Sequence, residues 1–90
     1  MTNKVLVLLE HFDDGQGEPV VFWDTPSGRA KMDAEFRQRV RDNIGERDFD
    51  GEFRELTEEE TTEEVENGIK NDYDWSGWGC KAQTFFCDVE

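Results

Sequence analysis

Apolar residues first alternate and then recur every fourth position along this 90-residue chain. In Lys4–Phe12, Val5, Val7 and Leu9 point one way, and Leu6, Leu8 and Phe12 the other. Both sides are apolar, which predicts a central strand covered on each side at least in part. The run Asp13-Asp14-Gly15-Gln16-Gly17-Glu18-Pro19 is a turn by composition. Val20–Trp23 then reads as a second strand, hairpinned with the first.

The period changes after Thr25-Pro26. Thr as N-cap with Pro at the first helical position is a start signal, with Asp33 a later alternative start. Met32, Phe36, Val40 and Ile44 form the apolar stripe of an amphipathic helix that Gly45 ends. Its exposed remainder is basic: Arg29, Lys31, Arg37, Arg39 and Arg41 against Asp33, Glu35 and Asp42. Asp48–Leu56 reads as a loop or short irregular strand anchored by Phe49, Phe53 and Leu56. Thr57 with Glu60 is a capping box for a second helix, about Glu58 to Ile69, with Thr61, Val65 and Ile69 on one side. Asn71–Gly79 is turn-rich and holds Trp75 and Trp78, and Lys81–Val89 is a last strand.

This order, β-β-α-α-β, predicts an α+β fold: a small antiparallel sheet of three or four strands with two helices packed on one face. The C-terminal strand is expected beside the first. The length suits one domain over residues 1–90. Only 34% of the residues are apolar, but seven Phe and three Trp supply enough burial to argue against disorder. No stretch approaches the roughly 18 apolar residues of a membrane span, and Val5–Leu9 lacks the flanks of a signal peptide. On one strand Cys80 and Cys87 would lie about 23 Å apart, too far for a disulfide. Two reduced thiols fit a cytoplasmic protein, in the host cytoplasm if the source is viral.

Charge changes the picture most. The net charge is −13, and eleven acids lie between Glu46 and Glu66 against Arg47 and Arg54 alone. A surface this acidic repels nucleic-acid phosphates and anionic membranes. It suits a basic protein, a cation or a high-salt solvent. Glu59/Glu63 and Glu60/Glu64 are like-charge pairs at i, i+4, each unfavourable by a few tenths of a kcal/mol. No Lys or Arg lies between Arg54 and Lys70 to relieve them. Duplex DNA carries one charge per about 1.7 Å of axis, and a carboxylate-rich helix with adjoining loops approximates such a line. The expected contact residues are Asp48, Asp50, Glu52, Glu59, Glu60, Glu63, Glu64 and Glu66, facing the basic groove of a nucleic-acid-binding protein, with no cofactor.

Two other chemistries compete. Asp72-Tyr73-Asp74-Trp75-Ser76-Gly77 fits the first half of a calcium loop, with Asp72, Asp74 and Ser76 as oxygen ligands. The acid expected at the twelfth position is Gln83. Glu46-x-Asp48-x-Asp50-Gly51 is a second near miss. A calcium-binding or regulatory interaction module is therefore the alternative reading, and a salt-adapted acidic domain a third. Catalysis has little support. His11 is the only histidine and reads as structural; Asp13 and Asp14 are paired acids in a turn; and a zinc site from Cys80, Cys87 and His11 lacks a fourth ligand. A non-enzymatic protein is expected.

No family motif is present. In size, acidity and compact α+β pattern the chain resembles the small inhibitors that phages and mobile elements use against host nucleic-acid enzymes. These include DNA-mimic anti-restriction and anti-CRISPR proteins. The resemblance is one of composition and covers no alignable stretch. It implies an inhibitor that occupies a DNA- or RNA-binding groove.

Overall fold

The computed structural model of the chain describes residues 3–12, 14–77 and 79–89, with only the backbone of Asn3 and Val89. The fold is α+β. Strands β1 (Asn3–Phe12), β2 (Gly15–Gln16) and β3 (Val20–Trp23) precede helix α1 (Pro26–Asn43). Strands β4 (Glu46–Phe49) and β5 (Glu52–Glu55) follow, then helix α2 (Glu58–Lys70) and strands β6 (Asp74–Ser76) and β7 (Cys80–Val89). Five strands make one antiparallel sheet in which β2 and β3 flank β1 on one side and β7 then β6 on the other; β4 and β5 make a separate two-stranded sheet.

The expected pairing of first and last strands holds along their whole length, from Asn3 opposite Val89 to Phe12 opposite Cys80. The strand count is larger than the sequence pattern suggested, and the order differs accordingly. The Asp13–Pro19 turn contains β2, which pairs His11 with Gln16, whereas β3 pairs Leu8 with Val20. Three residues, Gly17 to Pro19, thus oppose two, Leu9 and Glu10, and a bulge around Pro19 splits the second strand in two. Asp13 lies outside the described residues. Asp48–Leu56, expected as a loop or a short irregular strand, takes in the end of β4, a tight turn and all of β5, so it is two paired strands with Leu56 just beyond them. Asp50 (φ 54°) and Gly51 (φ 86°) form its two-residue turn, both in the left-handed region that this tight connection demands.

Both helices lie on one face of the sheet, as the pattern predicted. Leu6 and Leu8 of β1, Ala82 of β7 and Trp75 of β6 form the core with Met32, Phe36 and Val40 of α1 and Val65 of α2. Ile44 and Ile69 pack at its margin. The start signals work as read. Thr25 Oγ1 accepts from the Gly28 N–H at 3.0 Å with Pro26 next to it, and the Thr57–Glu60 capping box is complete. Gly28 is required where α1 leaves β3, because a Cβ there would sit 1.7 Å from the Trp23 carbonyl oxygen. Gly68, in the last turn of α2, lets the helix approach Phe36 and Trp75, to whose carbons a Cβ would lie 3.0 and 3.1 Å away.

Two features depart from the sequence pattern. The inner row of β1 runs Leu6, Leu8, Glu10, and Glu10 is 8% exposed. It is charge-paired with Arg39 and accepts from Asn43 Nδ2 at 2.7 Å, so α1 satisfies the buried carboxylate. The other face of β1 is not covered as expected. Val5, Val7 and Leu9 are half-buried there by their strand neighbours alone, beside Val21 (59% exposed), Trp23 (58%) and Phe85 (41%).

Candidate functional site

Helix α2 sorts its acids into three rows. At 100° per residue, Thr61, Val65 and Gly68 turn inward and are buried. Glu58, Thr62 and Glu66 face α1. Glu60, Glu64 and Asn67 face the β4–β5 hairpin. Glu59 and Glu63 form the outward ridge, exposed to solvent.

The rows beside α1 and the hairpin are neutralised by arginines from elsewhere in the chain. Arg41 of α1 meets Glu58 at 2.9 Å, and Arg37 meets Glu66 at 2.7 Å while also holding Asp33 at 2.8 Å. On the other side, Arg47 of β4 meets Glu64 at 2.6 Å and Arg54 of β5 meets Glu60 at 2.8 Å. Arg47 and Arg54 are directly opposite in the hairpin register, so both project from the same face toward α2. Phe49 shares that face, and the Arg54 guanidinium stacks 3.7 Å from its ring centre. Trp75 Nε1 donates to the second oxygen of Glu64 at 3.2 Å, tying this row to the core. The sequence reading had left the repulsion on α2 uncompensated. The fold corrects this for Glu58, Glu60, Glu64 and Glu66.

What stays unpaired is informative. Among the described residues Glu59 and Glu63 make no ion pair, and neither do Glu46, Asp48, Asp50, Glu52 and Glu55 of the hairpin. Asp48 serves its own turn, accepting from the Gly51 N–H at 2.7 Å. Glu46 and Glu55 are cross-strand partners, a like-charge pair directly opposite one another. Between hairpin and helix lies a cleft of about 330 Å³ lined by Arg47, Asp48, Phe49, Glu60, Glu63 and Glu64, among others. Of the acids expected to form the contact surface, Asp50, Glu52, Glu59 and Glu63 therefore make no ion pair among the described residues, and Asp48 is engaged only by its own turn. Glu60, Glu64 and Glu66 hold the scaffold together.

Glu60 shows how firmly. Arg54 donates to both its oxygens, at 2.8 and 3.1 Å, and the Thr57 N–H donates at 2.9 Å. These bonds, Arg54 first, lower its pKa from the ordinary 4.5 to about 2. A pKa lowered by folding stabilises the fold above the unfolded value, and that contribution is lost as pH falls through the folded one. The hairpin–helix tie should accordingly weaken only as the pH drops from about 4.5 toward about 2. Carbon-detected NMR titration of the Glu60 carboxyl measures this directly. Arg54→Ala should move the midpoint up toward 4.5; an unmoved midpoint would show that the capping N–H alone holds the carboxylate.

The remaining candidates fall elsewhere. Asp72 sits in a left-handed turn (φ 57°), and Asp74 and Ser76 belong to β6 instead of a ligand loop. Asp74 is engaged by Lys81 at 3.8 Å and by Gln83 Nε2 at 3.3 Å, so the three oxygens do not wrap one point. Among the described residues no cluster of three or more His, Cys, Asp or Glu side chains is placed to hold a metal. Cys80 and Cys87 both lie on β7 without a disulfide between them, and Cys80 Sγ donates to the Asn43 carbonyl at 3.3 Å. His11 lies on β1, its Nδ1 3.4 Å from Gln16 Nε2. Trp75 is buried, and Tyr73 donates its hydroxyl to Asp33 at 2.7 Å, which makes both structural; Trp78 lies outside the described residues. No helix among the described residues is long and apolar enough to cross a membrane. No protein-family model, curated protein or solved structure matches the chain.

Proposed function

We propose that the protein is a small non-enzymatic inhibitor whose α2–hairpin surface imitates nucleic acid and occupies the basic groove of a DNA- or RNA-binding protein. One observation carries the reading. After four arginines have been committed to this half of the molecule, Glu59, Glu63 and the hairpin acids still lack an ionic partner. Unrelieved like charge opposes folding, and the fold relieves it only where the relief also fastens α2 to its neighbours. The residues left free lie on the outward ridge of α2 and on the projecting hairpin, where a large partner can reach them. A cationic groove meeting them would neutralise these carboxylates as it neutralises the phosphates of DNA.

The test is capture and competition. Immobilised protein should retain basic nucleic-acid-binding proteins from a nuclease-treated cell lysate, and added duplex DNA should displace them. Binding through several charge contacts should also weaken by about a thousandfold or more between about 50 and about 200 mM salt. Retained proteins that neither DNA nor RNA displaces would count against mimicry and for a protein surface of another kind.

A further inference from the structure

We infer that the uncovered face of the five-stranded sheet is a self-association surface, and that two copies of the chain pack through it as a symmetric dimer. The register places Val7 at its centre, directly opposite Val21 on one side and Phe85 on the other. Val5 lies opposite Trp23 in the next row, and Leu9 extends the patch along β1. Val21, Trp23 and Phe85 are among the most exposed large apolar side chains described in the molecule. Apolar patches of this extent are rare on monomers unless they serve binding.

Area and charge together identify the occupant. The two ten-residue strands β1 and β7, flanked by the two- to four-residue strands β2, β3 and β6, present roughly 450 Å² in projection at about 3.3 Å per residue and about 4.8 Å between strands. Side-chain relief brings the accessible area toward the roughly 600–800 Å² that each partner contributes to a stable interface. The net charge of −13 does not extend to this face. Its described side chains carry only Lys81 and Asp74, which sit together at one end, 3.8 Å apart. A basic partner would find no carboxylate row to read here. A second copy would find a neutral apolar surface matching its own, related by a two-fold axis near Val7.

Repulsion between the copies is also small. The acids of α2 lie on the helical side of the sheet. Two sheets packed about 10 Å apart, each with helices about 10 Å further out, hold the α2 carboxylates about 30 Å apart, several times the Debye length of about 8 Å at physiological salt. The inference does not depend on what the acidic surface binds. A dimer of this kind leaves both α2 surfaces facing outward.

Sedimentation velocity of the intact chain, from about 1 μM to about 1 mM, tests it. The mass should rise from 10.5 kDa toward twice that value, and the melting temperature should rise with concentration. Val21→Lys with Phe85→Lys should raise the dissociation constant at least roughly 30-fold, as expected when centrally buried apolar contacts become charged. These substitutions reduce the net negative charge, so added repulsion cannot explain the loss. Both residues are exposed in the single chain, and unchanged far-ultraviolet circular dichroism will confirm that it still folds. Trp23→Ser, a milder change on the same face, should raise the constant at least about tenfold. A monomer throughout the concentration range, or a dimer that both variants leave intact, would overturn the inference.

Discussion

Phe36→Ala should destabilise the fold by about 3–5 kcal/mol, a large share of the roughly 5–15 kcal/mol that holds a domain of this size together. Phe36 is fully buried and is the largest of the fully buried side chains. Its ring meets Tyr73 edge-on, with centroids 5.2 Å apart and planes at 85°. It also lies against the Gly68 turn of α2, where a Cβ would come within 3.0 Å of its Cζ. One residue therefore joins α1, α2 and the turn into β6, and its removal leaves a cavity that a glycine on the far side cannot fill. At about 4–8 °C per kcal/mol for a chain this short, thermal melting should fall by at least about 12 °C. Phe36→Leu keeps most of the volume and loses the edge contact, and should cost about 1–2 kcal/mol. An alanine variant melting within a degree or two of the parent would show that the stripe Met32–Phe36–Val40 does not carry the core.

That stripe was readable because helical spacing and burial agree at every position, and both helix starts were readable because their capping residues act locally. The β4–β5 hairpin was hidden although Asp50-Gly51 is a strong turn signal. Its strands, Glu46-Arg47-Asp48-Phe49 and Glu52-Phe53-Arg54-Glu55, are mostly charged and show no apolar alternation, because they are anchored to α2 by Arg47 and Arg54 rather than by a half-buried face. Period-two apolar alternation reports burial, and this sheet has little. The division of the acids was equally hidden. Glu66 and Arg37 are 29 residues apart, and only the packing of α2 beside α1 brings them together. A sequence shows how many acids a segment contains; which of them remain free depends on tertiary register. Glu10 illustrates the same limit in reverse. It occupies an apolar row of β1, and the Arg39–Asn43 turn that satisfies it lies on another element. The open sheet face was misjudged because an apolar row on a strand asks for cover without saying whether this chain or another copy provides it.

Glu55→Lys combined with Glu63→Lys should weaken binding to the captured nucleic-acid-binding protein at least roughly 100-fold at low salt, because like charges placed across an interface cost several kcal/mol. The same pair should leave the fold slightly more stable. Lys at position 55 would face Glu46 across the hairpin and turn a repulsive pair into an attractive one. Lys at position 63 would follow Glu59 at i, i+4 in the favourable orientation. Together these should add about 0.5–1.5 kcal/mol, or roughly 2–12 °C in melting temperature. The opposite signs of the two effects are what make the variant informative. Reversing Glu66 would not separate them, since Arg37 holds it at 2.7 Å and its loss would loosen the two helices. Reversing Glu60 or Glu64 would detach the hairpin in the same way. If Glu55 and Glu63 only keep the surface hydrated, the double variant should be more stable and bind as before. If they exist to meet a cationic groove, stability and binding should move apart, because both positions hold a charge that the fold alone would have selected against.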